Sequence, residues 1–480
     1  MCIGCAFAQQ RELNKAVEAH TIISTEFNDE KRLPMTKIIQ IGANHAGTAC
    51  ANTILSYPGN ELTIYDQNSN ISFLGCGMAL WIGKQIQSSD GLFYQKPEDF
   101  VKKGAKVNLE SKVLDIDYAK KEVTVELKDG TVIHDSYDKL VLATGSLPNK
   151  PRIKGIDLEN VQMVKLFQNA QTVIAKLQER DFRNVVVLGG GYIGVELAEA
   201  FKRLGKNVTL IDMEDHILNG YFDPEFSDNL KQIMENKGIK FELGQTVEEI
   251  VGDTEVKAVK TSKGTYEADM VICAIGFHPN VALGKDHLKQ YANGAFLVDK
   301  KQQTSDPDVY AIGDCATIYD NARDRVNYIA LATNAVRSGL IAGHNVCGTP
   351  VETEGVQGSS AMMIYDYKLV CTGLSLTAAQ KEDMDVDYVD FEDTQKPAFM
   401  EVENPKVKIR IVYKKDSKVI VGCQLASNYD MSAAIHLFSL AIQKKVTIKE
   451  LALCDIFFMP HFNQPYNYIT MAAYTALLKG

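Results

Sequence analysis

No apolar run in the 480-residue sequence approaches the eighteen or so residues that span a bilayer, so no membrane helix is expected. Excess positive charge is lacking too. The 51 Lys and Arg are outnumbered by 61 Asp and Glu, a formal net of −10, which argues against a nucleic-acid partner, since that would want a basic face. The ten cysteines lack the spacing of a disulfide framework, which fits a reducing, cytoplasmic setting. Cys2 and Cys5 form a CxxC with no second ligand pair for zinc and no βαβ context for a thioredoxin-like centre. They read as incidental thiols. Residues 1–34 also lack the basic start and long apolar stretch of a signal peptide. They are expected to be an appendage outside the fold, with Met35 opening the first strand.

What is present is ordinary in bulk and specific in pattern. Hydrophobic residues make up 45% and charged residues 23%, as in a globular protein, and the length calls for two to four domains. One pattern occurs twice, about 147 residues apart: KIIQIGANHAGTACANTILSYPGNELTIYD (Lys37–Asp66) and NVVVLGGGYIGVELAEAFKRLGKNVTLID (Asn184–Asp212). Each reads as an apolar strand, a Gly-rich turn, an amphipathic helix and a second strand ending in Asp. That is a βαβ unit of the dinucleotide-binding kind. In the second copy Gly189, Gly191 and Gly194 occupy all three fingerprint positions. The first lets the strand turn, the second admits a pyrophosphate, and the third lets helix pack on strand. The anion then sits on the free N–H groups of the helix N-terminus. Asp212 can accept hydrogen bonds from a ribose 2′-OH, and a carboxylate there repels a 2′-phosphate, so NADH is expected over NADPH. In the first copy Gly42 and Gly47 stand, Asn44 replaces the middle glycine, and Asp66 keeps its place.

Three further phrases end buried strands: YDKLVLATGS (Tyr137–Ser146), ADMVICAIGFHPN (Ala268–Asn280) and SDPDVYAIGDCA (Ser305–Ala316). From about residue 357 the chain alternates strands (Ala361–Tyr365, Lys406–Tyr413, Val419–Leu425) with helices (Met431–Gln443, Tyr468–Leu478) and carries no glycine fingerprint. It reads as a separate α+β domain. Cys76 lies between Gly75 and Gly77 where GMALWIGKQI reads as a helix start, a setting expected to lower the thiol's pKa. Cys50, Cys273, Cys315, Cys371, Cys423 and Cys454 are read as small buried apolar residues, and Lys84 as a solvated helix lysine.

Together with GANHAG, ISFLGCG, GGGYIGVE, YAIGDCA, YIALATNAVRSG and FFMPHFNQPYNY, these phrases resemble the pyridine-nucleotide disulfide reductase superfamily. Within it the chain from Met35 onward is most similar to the NADH oxidase and NADH peroxidase branch, above all to water-forming NADH oxidases of lactic-acid bacteria. The resemblance implies an α/β fold of two Rossmann-like domains plus a C-terminal α+β dimerisation domain: an FAD domain (35–155 and 277–356), an inserted NADH domain (156–276) and the dimerisation domain (357–480). It places FAD contacts on Gly42, His45, Ala46, Gly47, Asp66, Cys76, Val113, Ala143, Thr144, Gly145 and Asp314. A helix opening at Leu331, Ala332 and Thr333 is implied to aim at the flavin pyrimidine, and Phe458 to reach the neighbouring subunit's flavin in a homodimer or dimer of dimers. NADH contacts fall on Gly189, Gly191, Tyr192, Ile193, Gly194, Glu196, Asp212, Tyr221 and Gly276, with the Tyr192 ring covering the flavin until nicotinamide displaces it.

Disulfide reductases of this superfamily carry a second cysteine five positions after the first; here that position is Trp81, the chain's single tryptophan. No disulfide can form within that loop, and the family's other solution is a sulfur cycling between thiolate and sulfenic acid. His45 is implied to lie beside that sulfur and to orient or protonate the oxygen species. Reducing O2 to two waters takes four electrons while a flavin holds two, which assigns Cys76 the peroxide-cleaving step. The competing readings are an NADH peroxidase acting on H2O2, a coenzyme A disulfide reductase, and a flavoprotein passing electrons to a protein partner.

Overall fold

The computed structural model describes residues 36–479, so the expectations for residues 1–34, including Cys2 and Cys5, and for Met35 lie outside the described residues. The first strand runs over Lys37–Ile41. It is the central strand of a five-stranded parallel sheet, flanked by Lys139–Leu142 and Glu61–Tyr65, with Val309–Ala311 and Lys106–Asn108 at the edges. Strands of such a sheet are covered on both faces and so read as continuous apolar runs; Ile38, Ile39, Leu140, Val141 and Leu142 are all fully buried.

The second unit repeats this plan. Asn184–Leu188 is central in another five-stranded parallel sheet, between Asn207–Ile211 and Met270–Cys273, with Lys240–Glu242 and Val161–Met163 outermost. Each parallel sheet is accompanied by a three-stranded antiparallel meander, spanning 112–136 in the first unit and 247–267 in the second. The chain crosses between the units twice, and the crossings pair with one another: Ser146–Pro148 lies antiparallel to Phe277–Pro279.

The last part is a five-stranded antiparallel sheet in the order Ser360–Ile364, Tyr367–Gly373, Ile420–Ser427, Lys406–Lys414, Val386–Thr394. Helices Ile435–Gln443 and Tyr468–Leu478 share its apolar core. One cluster joins Met362, Ile364 and Leu369 of this sheet to Val187, Leu197 and Phe226 of the second unit. Beside it Arg410, 2% exposed, bonds Glu225 and Asp390 and lies 3.2 Å from Asp223. The pairing satisfies a buried guanidinium that would otherwise be costly.

Several local expectations change. The helix expected over Met431–Gln443 begins at Ile435, after a 3-10 turn at Ser432–Ala434. The helix after Cys76 covers only Met78–Ile82. It ends at Gly83, where it crosses the second fingerprint helix so closely that a Cβ would lie 3.0 Å from Ala200 Cα and Cβ. Lys84 then turns the chain with φ +56° and is exposed, so it is a turn residue and not a helix lysine. Cys454 is exposed in the loop beyond helix Ile448–Ala452, unlike the other five cysteines expected inside. Among the described residues no helix is long and apolar enough to cross a membrane.

Candidate active site

The two fingerprint turns close by the same device. Gly42 has φ +100° and Gly189 φ +106°, and a Cβ at either would strike a backbone carbonyl, Ala143 O at 2.2 Å or Ala274 O at 2.4 Å. Only glycine fits both demands. In the third position a Cβ on Gly47 would meet Gly42 O at 2.1 Å and one on Gly194 would meet Gly189 O at 1.9 Å. The middle position differs. Nothing lies within 4 Å of a Cβ on Gly191, so the protein itself leaves this space open, and Asn44 occupies the matching place exposed. The two acids also match. Asp66 Oδ2 accepts from Ala43 N–H at 2.8 Å, and Asp212 Oδ2 accepts from Gly190 N–H. Each carboxylate anchors the residue after the first glycine, fixing the turn while standing at its rim. Burial pushes the Asp66 carboxyl up, against hydrogen bonds from Asn68 and Ala43 that pull it down.

Both turns open into one cavity of about 1680 Å³. That exceeds the roughly 300–1,000 Å³ of a site for one drug-sized molecule and suits two dinucleotides laid end toward end. The open space at both middle positions, the free N–H groups at helices His45–Ile54 and Tyr192–Arg203, and the rim carboxylates are the features such ligands require. Lining the first end are Gly42, His45, Ala46, Gly47, Asp66, Val113, Ala143, Thr144, Gly145 and Asp314, together with Leu331 and Ala332 at the start of helix Ala332–Val346. The second end is lined by Gly189, Gly191, Tyr192, Ile193, Glu196, Asp212, Tyr221 and Gly276. Three expected residues do not line it. Gly194 is consumed in helix–strand packing, Thr333 is exposed on its helix while Ala332 and Ala335 on either side line the cavity, and Phe458, expected at the neighbouring subunit's flavin, is half exposed on the C-terminal domain.

Cys76 stands between the two ends, in a 3-10 turn, Gly75–Gly77. Its exposed sulfur faces the cavity. The expected lowering of its pKa is reversed: desolvation by the cavity walls pushes the thiol up, the Glu196 carboxylate adds to this, and only the N–H groups of Cys76 and Gly77 oppose it. A 3-10 turn followed by five helical residues aligns too few peptide dipoles to outweigh burial and a nearby acid. Glu196 is itself pushed up to about 7, by burial first and then by Glu199.

His45 Nδ1 lies 3.1 Å from Tyr94 Oη, with the two rings stacked at 5.8 Å. Burial lowers the imidazole's pKa, although Asp314 raises it, which favours the neutral ring. Asp314 Oδ2 accepts from Ser146 Oγ at 2.7 Å. The Lys165 ammonium stands 3.9 Å from Asp314 and 3.9 Å from the Phe277 ring centroid, and it donates to Ser146. Burial pushes the Lys165 ammonium down. Tyr94 and Lys165 were missed from the sequence. Neither belongs to a fingerprint, and each reaches the site across the fold: Tyr94 is 49 positions from His45. Ser146 closes a phrase singled out as a strand end, and that was its available signal. Among the described residues no cluster of His, Cys, Asp or Glu could hold a metal ion.

Comparison with known proteins agrees with this architecture. Residues 36–339 match the family model described as pyridine nucleotide-disulphide oxidoreductase, and residues 359–467 match the dimerisation domain of that family. An NADH oxidase of Streptococcus pyogenes is 55% identical, covering 92% of this chain and 99% of that protein. An NADH oxidase of Lactococcus lactis subsp. cremoris is 50% identical over 92% of this chain and 100% of that one. The solved structure of a water-forming NADH oxidase from Lactobacillus brevis bound to NADH superposes with a TM-score of 0.90 at 39% identity, covering 92% and 98% of the two chains. With both its parts matched and such relatives running along most of its length, the chain belongs to the pyridine nucleotide-disulphide oxidoreductase family.

Proposed function

We propose that the protein is an FAD-dependent NADH oxidase that reduces O2 to water, with FAD at the first turn, NADH at the second, and Cys76 as the sulfur centre between them. The single observation that carries the reading is the placement of the exposed, unpaired Cys76 thiol in the cavity shared by two nucleotide-binding turns. Five positions on, Trp81 stacks on Phe167 at 5.5 Å between ring centroids, so the slot for a second cysteine is a packing residue. The likeness to the streptococcal and lactococcal NADH oxidases supports the same reading.

When bound, FAD supplies a two-electron acceptor for the hydride of NADH and a donor to O2. The rest is the work of the chain. The two turns hold the pyrophosphates on helix N-termini, and Asp66 and Asp212 take the ribose hydroxyls. Helix Ala332–Val346 turns its N-terminus toward the first site and favours negative charge there. The Cys76 thiolate attacks one oxygen of H2O2 and breaks the O–O bond, giving sulfenic acid and hydroxide, and the proton given up by the Cys76 thiol returns to turn hydroxide into water, a transfer the proposal gives to His45. The sulfenic acid then takes two electrons from a second NADH, together with protons, returning the thiol and the second water. The sum is two NADH, one O2 and two protons consumed for two NAD+ and two waters formed. Glu196, beside the thiol and pushed up to about 7, can hold a proton near the sulfur. The domain limits expected from the sequence and a homodimer completed by Phe458 belong to the same proposal.

An oxygen electrode with NADH, with and without catalase, tests it. The wild type is expected to consume two NADH per O2 and to show no oxygen return on adding catalase. Cys76→Ser keeps a polar atom of similar size but cannot form a sulfenic acid, so oxygen uptake continues, H2O2 is released and the ratio moves toward one. A peroxidase would show little oxygen uptake and would lose its main reaction with Cys76. A serine variant that still consumes two NADH per O2 and frees no peroxide sinks the role of Cys76.

A further inference from the structure

Tyr192 opens the second fingerprint helix, and it lines the cavity joining the two turns. Glu196, one helical turn along the same face, is the charged neighbour of the Cys76 thiol. The tyrosine therefore stands along the passage from the second turn toward Cys76. Two residues of the C-terminal sheet hold its hydroxyl. Ser360 Oγ donates to Tyr192 Oη at 2.7 Å, and the Cys371 thiol stands beside the same hydroxyl as its electrostatic neighbour. Ser360 and Cys371 are directly opposed on antiparallel strands, so one ladder position presents both groups on a single face of the sheet. Both also line the cavity. From another side Tyr221 meets the Tyr192 ring edge-on, with centroids 4.6 Å apart.

We propose that Ser360 and Cys371 form a latch that holds the Tyr192 ring across the passage between the nicotinamide and flavin positions, and that NADH must break the Ser360–Tyr192 hydrogen bond to reach the flavin. The inference rests on the reading of the second turn as the NADH site. Ser360 and Cys371 are positioning residues that act through Tyr192. A latched ring raises the apparent dissociation constant of NADH by the inverse of the fraction unlatched. A neutral hydrogen bond shifts such an equilibrium by a factor of roughly 2 to 10. The latch also makes NADH access depend on a domain that carries no fingerprint of its own.

The test is anaerobic stopped-flow reduction of the FAD-loaded enzyme by NADH. Ser360→Ala is expected to lower the NADH dissociation constant roughly 2- to 10-fold. Tyr192→Phe removes the same bond and should act in the same direction, and the double variant should be no tighter than the singles. Ser360→Thr restores a hydroxyl and should return the constant toward the wild-type value. Unchanged or weaker NADH binding in Ser360→Ala, or additive effects of the two substitutions, overturns the latch. Because O2 is absent, failure of the oxidase reading is a separate result: normal reduction followed by no reoxidation when O2 is admitted. Failure of NADH to reduce the flavin overturns the reading of the site, and the latch with it.

Discussion

Around Cys76 and Glu196, burial and charge act in one direction. Two acidic groups share a partly desolvated wall: burial and then Glu196 raise the thiol's affinity for a proton, and burial and then Glu199 raise that of Glu196, so the thiol needs a proton acceptor at hand before it can attack. Glu196 makes this measurable. Its ordinary value is 4.5 and the folded protein pushes it up to about 7. Below 4.5 the group is protonated in the folded and the unfolded chain alike; between 4.5 and 7 the folded chain alone keeps the proton. The group's favourable contribution is therefore present at low pH and is lost as pH rises through 7. A shift of that size corresponds to about 3 kcal/mol. Glu196→Gln removes the titration and should raise the melting temperature of the holoenzyme at about pH 8 while leaving it nearly unchanged at about pH 5. Equal effects at both pH values would show that Glu196 does not carry the shift.

At the scale of the element, each fingerprint is a turn tied shut by the acid that ends its second strand. Asp212 holds Gly190 N–H with one oxygen and Glu214 N–H with the other, so its carboxylate is oriented before any ribose arrives. Preorganisation of this kind improves binding without adding contacts. Asp212→Ala should therefore raise the KM for NADH, on the order of tenfold for the loss of a charge-assisted pair of hydrogen bonds. Relative use of NADPH should improve as the repulsion of the 2′-phosphate is removed. Steady-state kinetics with both nucleotides decides it, and an unchanged preference would mean that Asp212 does not face the ribose.

Across the whole molecule the C-terminal domain is bound to the second unit by a shared core and by Arg410 with its three acids, while its outer loop leaves large apolar residues in solvent. Phe457 is 65% exposed, Phe458 50%, Phe462 59% and Tyr466 73%. Monomeric proteins seldom expose such a group together, and the matched dimerisation domain accounts for it. Analytical ultracentrifugation should find a particle of about twice 53.1 kDa. A fully active monomer would remove Phe458 from the proposed site.

The sequence by itself determined what local chain geometry dictates. A glycine forced to φ near +100° by a carbonyl, an acid at the end of the next strand and a run of buried β-branched residues all act within about thirty positions, and so both βαβ units could be read. The loss of the second cysteine to Trp81 was equally plain. Only the tertiary structure decided what distant segments do to one another. The helix after Cys76 ends where Gly83 meets Ala200, burial and then Glu196 raise the thiol, and His45 meets Tyr94. Lys165 crosses to Asp314, and Ser360 takes the Tyr192 hydroxyl from 168 positions away. Desolvation and long-range hydrogen bonding depend on which surfaces pack together, and no spacing along the chain records that.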